Sequence, residues 1–532
     1  MEANKKSKWN ILRIMLGISL LGIAIWGTLF YVQTAGSDTS DEEALLIPLL
    51  DNNTGKWGFA DREMNEIIPC RYDHVRTYEN GMAAVEFNKR WGFIDKTGKE
   101  VIPCKYTWVQ NFSEGLAAIG VGDWETGKWG FIDKEGNEII PCKYDDVNRF
   151  SDGMAAVSKG KYPNVKWGFV NNTGKEVIPC KYDCVVDFSD GIAVVEFNER
   201  WGFVDENGKE IVHCKYTSVK KFSEGLAAVS VGDDQNEKWG FVDKTGKEIV
   251  PCKYGCVADF SDGIAAVLKG NSNPYIGEVG KWGFIDKTGK EIIPCKYTSD
   301  YAEEGGLTPI PLTFSEGLAA VSVGNAETQK CGFIDKTGKE VIPCKYTWVQ
   351  NFSEGMAAVL EGDWGTGKWG FVDNTGKEII PCKYYMVESF SDGMAAVRNA
   401  KTDKWGFVDN TGKEVISCKY DYAYQFSDGM AAVEFNERGG FIDKTGKEIT
   451  PCKYIFEFYG EGWTPIPLTF SEGLAAVRNA DTGKWGFVDN TGKEVIPCKY
   501  DYVNSFSKGI TDVHLNGKQF YIDKTGKEYI KY

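Results

Sequence analysis

Residues 91–119, WGFIDKTGKEVIPCKYTWVQNFSEGLAAI, decide the fold, because the rest of the chain repeats them. WGFID alternates, with Trp91, Phe93 and Asp95 on one side and Gly92 and Ile94 on the other, the period of a short strand. KTGK follows, and Gly98 takes a positive φ without steric cost, so residues 95–100 read as a hairpin turn. EVIPCKY is β-branched and aromatic, hence a second strand. Pro103 has no N–H for a ladder bond and marks a bulge or an edge. Phe112, Ser113, Glu114 and Gly115 have turn chemistry, and LAAI is a third strand. A unit of about three strands is too small to bury its own apolar face and must lean on its neighbours.

Working outward, Trp-Gly recurs at Trp57, Trp91, Trp129, Trp167, Trp201, Trp239, Trp282, Trp369, Trp405 and Trp485. Degenerate starts stand at Cys331 and Gly439 and a partial one at Gln519, giving thirteen starts spaced 34 to 49 residues apart, a repeat-protein interval. From Trp to the last residue of the AAV strand the offset is 28 in ten of twelve full repeats, and from there to the next Trp it is 6, 8 or 10 in all but one. Even steps keep side chains on their faces, so the AAV strand of one repeat is expected to pair with the Trp-Gly strand of the next through a hairpin of variable length. The fold class is all-β, a tandem array of about thirteen small antiparallel units over residues 44–532. Residues 44–50, ALLIPLL, form a strand before the first Trp-Gly, and the chain stops after a hairpin, so one terminus could complete the other's sheet in a propeller-like closed ring. Thirteen units exceed the four to eight blades of ordinary propellers, which favours an open superhelix.

The first residues differ in kind. Residues 1–13 carry Lys5, Lys6, Lys8 and Arg13 as a basic cytoplasmic segment. Residues 14–32 are nineteen residues without charge, long enough for a transmembrane helix, and end in Trp26, Phe30 and Tyr31, which suit a membrane interface. Residues 33–43 are a polar, acidic linker. The expectation is an uncleaved signal-anchor with the repeats outside the cytoplasm; secretion after signal cleavage is the alternative.

With 42% apolar and 14% aromatic residues, the chain has ample core material. Four bases and one acid in the first 35 residues contribute +3 to the formal −15, leaving about −18 on the remainder, which disfavours nucleic acid and anionic surfaces. Twelve of fifteen cysteines occupy one repeat position, which suits a small apolar filler of the core better than paired zinc ligands. His74, His213 and His514 stand alone at different repeat positions, and no metal, phosphate-loop or nucleophile-elbow spacing occurs. Asp95 and its equivalents recur as turn caps. No catalytic residue, metal site or cofactor is expected. The repeated Trp residues read as structural. Off-frame Trp108, Trp124, Trp348, Trp364 and Trp463 are the candidate ligand contacts, since an exposed indole can stack on a sugar or fill a protein hot spot. Two insertions carrying TPIPLTF, at residues 298–314 and 455–470, are surface loops or binding elaborations.

KWGFIDKTGKEVIPCKYD followed by FSEGLAAV, as at residues 128–157, 166–195 and 484–513, resembles the WG-containing (KWG) repeat family of bacterial proteins. The resemblance spans about residues 51–532 and implies an all-β repeat module, often envelope-associated, with no catalytic residues to carry over. The sequence departs from the motif at Cys331, Gly439 and Gln519. The expectation is a membrane-anchored, extracytoplasmic scaffold for protein binding or adhesion, with an envelope protein or a cell-wall glycan as partner. The alternative is a carbohydrate-binding module working through the loop tryptophans.

Overall fold

In the computed structural model the common unit is a four-stranded antiparallel sheet, one strand more than the sequence suggests, and in three places neighbouring units join into a seven-stranded sheet. The first complete sheet runs His74–Val75, Met82–Phe87, Arg90–Asp95 and Glu100–Tyr106 in that order. Two strands belong to one sequence repeat and two to the next, joined by the variable hairpin, as the spacing requires. The extra strand is two residues long. It forms because the chain after the IPCKY strand turns back along the AAV strand, with Asp73 N–H donating to Glu86 O at 2.8 Å and Arg76 N–H to Ala84 O at 2.9 Å. The structure describes residues 46–532 except 124, 234–235, 271–279, 299–312, 326–327, 364 and 456–469, and every described regular element is a strand. The basic segment, the membrane span at 14–32 and the linker at 33–43 lie outside the described residues, as does most of both insertions. Among the described residues no helix is long and apolar enough to cross a membrane.

The Trp-Gly signature follows from a bulge. Between Phe93↔Ile102 and Trp91↔Tyr106 the IPCKY strand carries two extra residues, around Pro103 and Cys104. The bulged backbone lies on Gly92, where a methyl group would collide with Ile102 O and sit 2.7 Å from Cys104 N. Only glycine fits beneath it. Glu100 Oε1 accepts the Cys104 N–H at 2.7 Å, so the glutamate after KTGK satisfies a donor the bulge removes from the ladder. The twelve frame cysteines therefore sit at the bulge, half-buried, most of them packed against the edge of a core cluster and not enclosed in it; Cys331, at a Trp position, is buried, and all fifteen are free thiols. The KTGK turn is capped as anticipated: Asp95 Oδ1 accepts from Thr97 N at 2.9 Å and Lys99 N at 3.1 Å.

Variable hairpins leave the register unchanged. Glu86, Gly120 and Arg398 each stand opposite a frame Trp across connections of different length. Leu268 stands opposite Trp282 across the fifteen-residue connection as well. The even-step rule is thus not what fixes register: the loop beyond the strands absorbs an odd residue, and the ladder itself sets the pairing.

Successive sheets pack face to face over a repeated apolar layer, such as Ala84, Phe93, Ile102, Tyr106, Phe112 and Ile119. Phe93 and Phe112 meet edge to face at 4.9 Å, and each such side chain contributes about 1.5–3 kcal/mol by burial. One end of every sheet is also locked to its neighbours. Ser113 and Leu116 exchange backbone hydrogen bonds across Glu114 and Gly115, at φ 50° and 83°, a type I′ turn. The Glu114 carboxylate accepts Gly153 N–H of the next turn at 2.9 Å, and Ser113 Oγ donates to Phe150 O at 2.9 Å. Lysines of the KTGK turns reach further, with Lys287 Nζ 3.1 Å from Glu224 and Lys524 Nζ 3.0 Å from Glu472, two starts along the chain.

The ends of the array meet. Ile47–Asp51 pairs in parallel with Glu528–Lys531, with Leu50 opposite Ile530 and Asp51 opposite Lys531. Asn52 N–H donates to Lys531 O at 2.8 Å, Lys531 Nζ lies 2.5 Å from Glu66, and Trp57 packs on Tyr521 at 6.2 Å. The open superhelix favoured by the repeat count gives way to an array whose first and last strands share a sheet, because an unpaired AAV-type strand and an unpaired hairpin each find a ladder partner in the other.

Candidate functional site

The end of each sheet opposite the locked turns is where the repeats differ, and it is built around the frame tryptophans. Trp282 and Trp405 are buried; Trp57, Trp91, Trp129, Trp167, Trp201, Trp239, Trp369 and Trp485 are half-buried. What covers each indole changes. Arg76 lies over Trp91 at 5.1 Å, Lys220 over Trp239 at 5.6 Å and Arg478 over Trp485 at 6.0 Å. Trp108 stacks on Trp129 at 5.8 Å, and Tyr422 leans on Trp405 at 5.2 Å. A cation or a second ring satisfies the same π face by different chemistry.

The candidate contacts separate into two groups. Trp108 and Trp348 are half-buried on their own sheets, Trp108 on Trp129 and Trp348 against the cluster of Phe333 and Val359. Trp124, Trp364 and Trp463 lie outside the described residues. A different set stands out. Phe87, Phe197 and Phe435 are 43%, 41% and 43% exposed, each at the same place beside a hairpin tip. Each faces an arginine across the hairpin: Arg90, Arg200 and Arg438. At the equivalent place Val121, Val231 and Val323 are exposed opposite Lys128, Lys238 and Lys330. The phenylalanine hairpins turn through Asn88-Lys89, Asn198-Glu199 and Asn436-Glu437, all at φ between 51° and 61°, where a bulky second residue is strained. The signal was present in the sequence as EFNKR once and EFNER twice, at positions that alignment of the repeats to one another brings into a single column.

Titratable groups at this end are also tuned. Burial raises Glu388 and Glu434 above the ordinary carboxylate range, and the hydrogen bond from Tyr424 Oη to Glu434, 2.9 Å, opposes part of the rise. Lys56 holds Asp73 below its ordinary value, their atoms 2.5 Å apart. His74 Nε2 lies 3.8 Å from Glu86, whereas the His213–Glu210 pair, 2.5 Å apart, sits on the turn side of its sheet. Among the described residues no group of three or more His, Cys, Asp or Glu side chains is placed to hold a metal ion. What this end can do chemically is present apolar, cationic and hydrogen-bonding groups in combinations that differ from sheet to sheet.

No curated protein matches the sequence. Solved structures match weakly. A eukaryotic initiation factor is 11% identical with a TM-score of 0.26, covering 64% of this chain and 96% of that one. The β-propeller domain of the Trilobed protease from Pyrococcus furiosus is 10% identical with a TM-score of 0.22, covering 52% and 99%. AztD from Citrobacter koseri is 12% identical with a TM-score of 0.22, covering 75% and 95%. The WG containing repeat family matches twelve segments, at residues 57–91, 91–123, 129–162, 167–201, 201–233, 239–272, 282–309, 332–363, 369–401, 405–438, 440–461 and 485–518. Those segments take in most of the array and start at or beside the glycine that lies beneath each bulge, so the chain belongs to the WG containing repeat family.

Proposed function

We propose that the array is a non-catalytic scaffold that binds an envelope protein, with residues 14–32 anchoring it in the cytoplasmic membrane and the repeats outside. One observation carries the binding reading: the two ends of every sheet differ in kind. The turn end repeats similar residues, many of them spent on links between sheets. The hairpin end keeps the backbone and varies the side chains, which is how a rigid frame displays specificity. Exposed Phe87 and Phe197 beside Arg90 and Arg200, with Phe435 beside an Arg438 already held by Asp481, suit a partner presenting apolar and acidic groups. Repetition adds avidity without new contact chemistry.

The test uses full-length chain in detergent, immobilised and exposed to solubilised envelope protein, beside a variant carrying Phe87→Ser, Phe197→Ser and Phe435→Ser. The variant is expected to keep its melting temperature and lose the partner retained by the native chain. Equal retention by both would remove the phenylalanine hairpins from the reading. Anchoring is checked separately: the native chain is expected to stay with membranes through alkaline washing, and a chain lacking residues 1–35 to be released.

A further inference from the structure

At the hairpin end three residues stand directly opposite one another across each sheet, and residues so paired project from one face. In one sheet the row is Trp108, Gly120 and Trp129, and the two indoles close that face over the glycine, where a methyl group would lie 2.7 Å from the Trp108 ring. In the following sheet the row is Asp146, Ser158 and Trp167. Two short side chains cannot cover the indole. Trp167 instead lines an open cleft of about 630 Å³, within the about 300–1,000 Å³ of small-molecule sites.

Two loops wall the cleft. One is the hairpin at residues 160–165, where Tyr162 is 80% exposed; the other holds Glu125 and Gly127 of the preceding sheet. Lys161 Nζ donates to Glu125 O at 2.7 Å and ties the two together. Asp145 is fixed by Lys128 at 2.5 Å and by Gly160 N–H at 2.9 Å, so its charge is already met. On the floor, Ser158 is 1% exposed and its hydroxyl has no hydrogen-bond partner among the described residues. At the same repeat position the Ser230 hydroxyl donates to Glu237 at 2.7 Å. Buried hydroxyls without a partner recur among the described residues, at Tyr216, Tyr297, Tyr346, Tyr384 and Tyr420; Ser158 is set among the cleft residues, where a ligand oxygen would complete its hydroxyl.

We propose that this cleft binds a neutral, β-linked pyranose saccharide. The Trp167 and Tyr162 rings take the flat C–H faces of the sugar, while Asp146 and Ser158 hydrogen-bond its hydroxyls. Aromatic faces interleaved with hydroxyl-directed polar groups select a polyol. The Lys128–Asp145 pair cancels and Lys161 offsets Asp146, which leaves the Glu125 carboxylate at the wall, so no net positive charge draws an anionic ligand. This site goes beyond the scaffold reading and stands or falls without a protein partner.

The experiment is calorimetric titration of the full-length chain with cellotetraose and with chitotetraose. At least one is expected to bind, and Asp146→Asn and Tyr162→Ala, both at exposed positions, are each expected to weaken it about tenfold, the effect of one lost polar or stacking contact. A triple variant, Asp146→Trp with Ser158→Gly and Val165→Gly, copies the closed neighbouring row and is expected to abolish binding with the melting temperature retained. Absence of binding by the native chain, or affinity unchanged in both single variants, overturns the proposal. So does undiminished binding in a folded triple variant.

Discussion

Gly92 and its equivalents show what one residue decides in this protein. The Trp-Gly pair is visible in the sequence at a glance, yet its cause is not, because the obstacle is the backbone of Pro103 and Cys104 arriving from the next strand. Gly92→Ala is expected to lower the melting temperature through a clash worth about 1–3 kcal/mol; differential scanning calorimetry checks it, and an unchanged transition would falsify the bulge account. Glu210 makes a second expectation at this scale. Lys181, with His213 and Tyr182, holds its carboxyl at about 2 against a partial opposing effect of burial. A carboxylate depressed on folding contributes stability that is complete above its ordinary value near 4.5 and is lost as pH falls toward 2. The melting-temperature gap between native chain and Glu210→Gln should therefore be present at pH 6 and close on acidification. Its size is about 1 kcal/mol or less, because the pair is partly exposed.

Strands and turns were the most legible elements. Alternation in WGFID, the glycine of KTGK and the constant 28-residue offset fixed two strands and their turn, and the variable hairpin supplied the third. The two-residue strand at Trp108–Val109 was not legible, since a pair of residues carries no period, and its ladder partners, Gly120 and Ile119, lie twelve and ten residues on. The FSEG turn was legible as a turn but not as a type I′ turn, because Glu114 at φ 50° is an unfavoured choice there. Its carboxylate explains the choice by bonding the following turn. Glu224→Asn sets the two effects against each other: asparagine suits the turn, but the bonds to Gly263 N–H at 2.9 Å and Lys287 are lost. The linkage is expected to win, giving a lower melting temperature. The bulge also governs thiol chemistry. Burial, with Glu100 adding to it, pushes Cys104 up to about 12, and burial pushes Cys70 and Cys142 up to about 11. Thiols of that kind stay protonated near neutral pH and are poor nucleophiles. Reaction with a chromogenic disulfide at pH 8 is expected to be slow in the folded chain and to reach fifteen thiols on unfolding.

At the scale of the molecule, the sequence posed the right alternatives and favoured the wrong one. Residues 44–50 and the final hairpin are complementary ends, while the number of units argues against their meeting; the parallel pairing of Leu50 with Ile530 joins them. The candidate site was legible in part for a related reason. Loop tryptophans drew attention as large apolar residues, whereas the three phenylalanines and the Asp146–Ser158–Trp167 row acquire meaning once strand register places them side by side. Ile530→Pro removes a donor and the side chain from the joining strand, and is expected to lower the melting temperature and enlarge the radius of gyration measured by X-ray scattering. The split composition of each sheet has a consequence for descent. Because half of every sheet comes from one repeat and half from the next, a DNA duplication of one period adds a whole sheet wherever its breakpoints fall. Internal copies such as TWVQNFSEG at residues 107–115 and 347–355 are the kind of trace such events leave. The seam between the first and last strands is the place where each change in copy number must be absorbed.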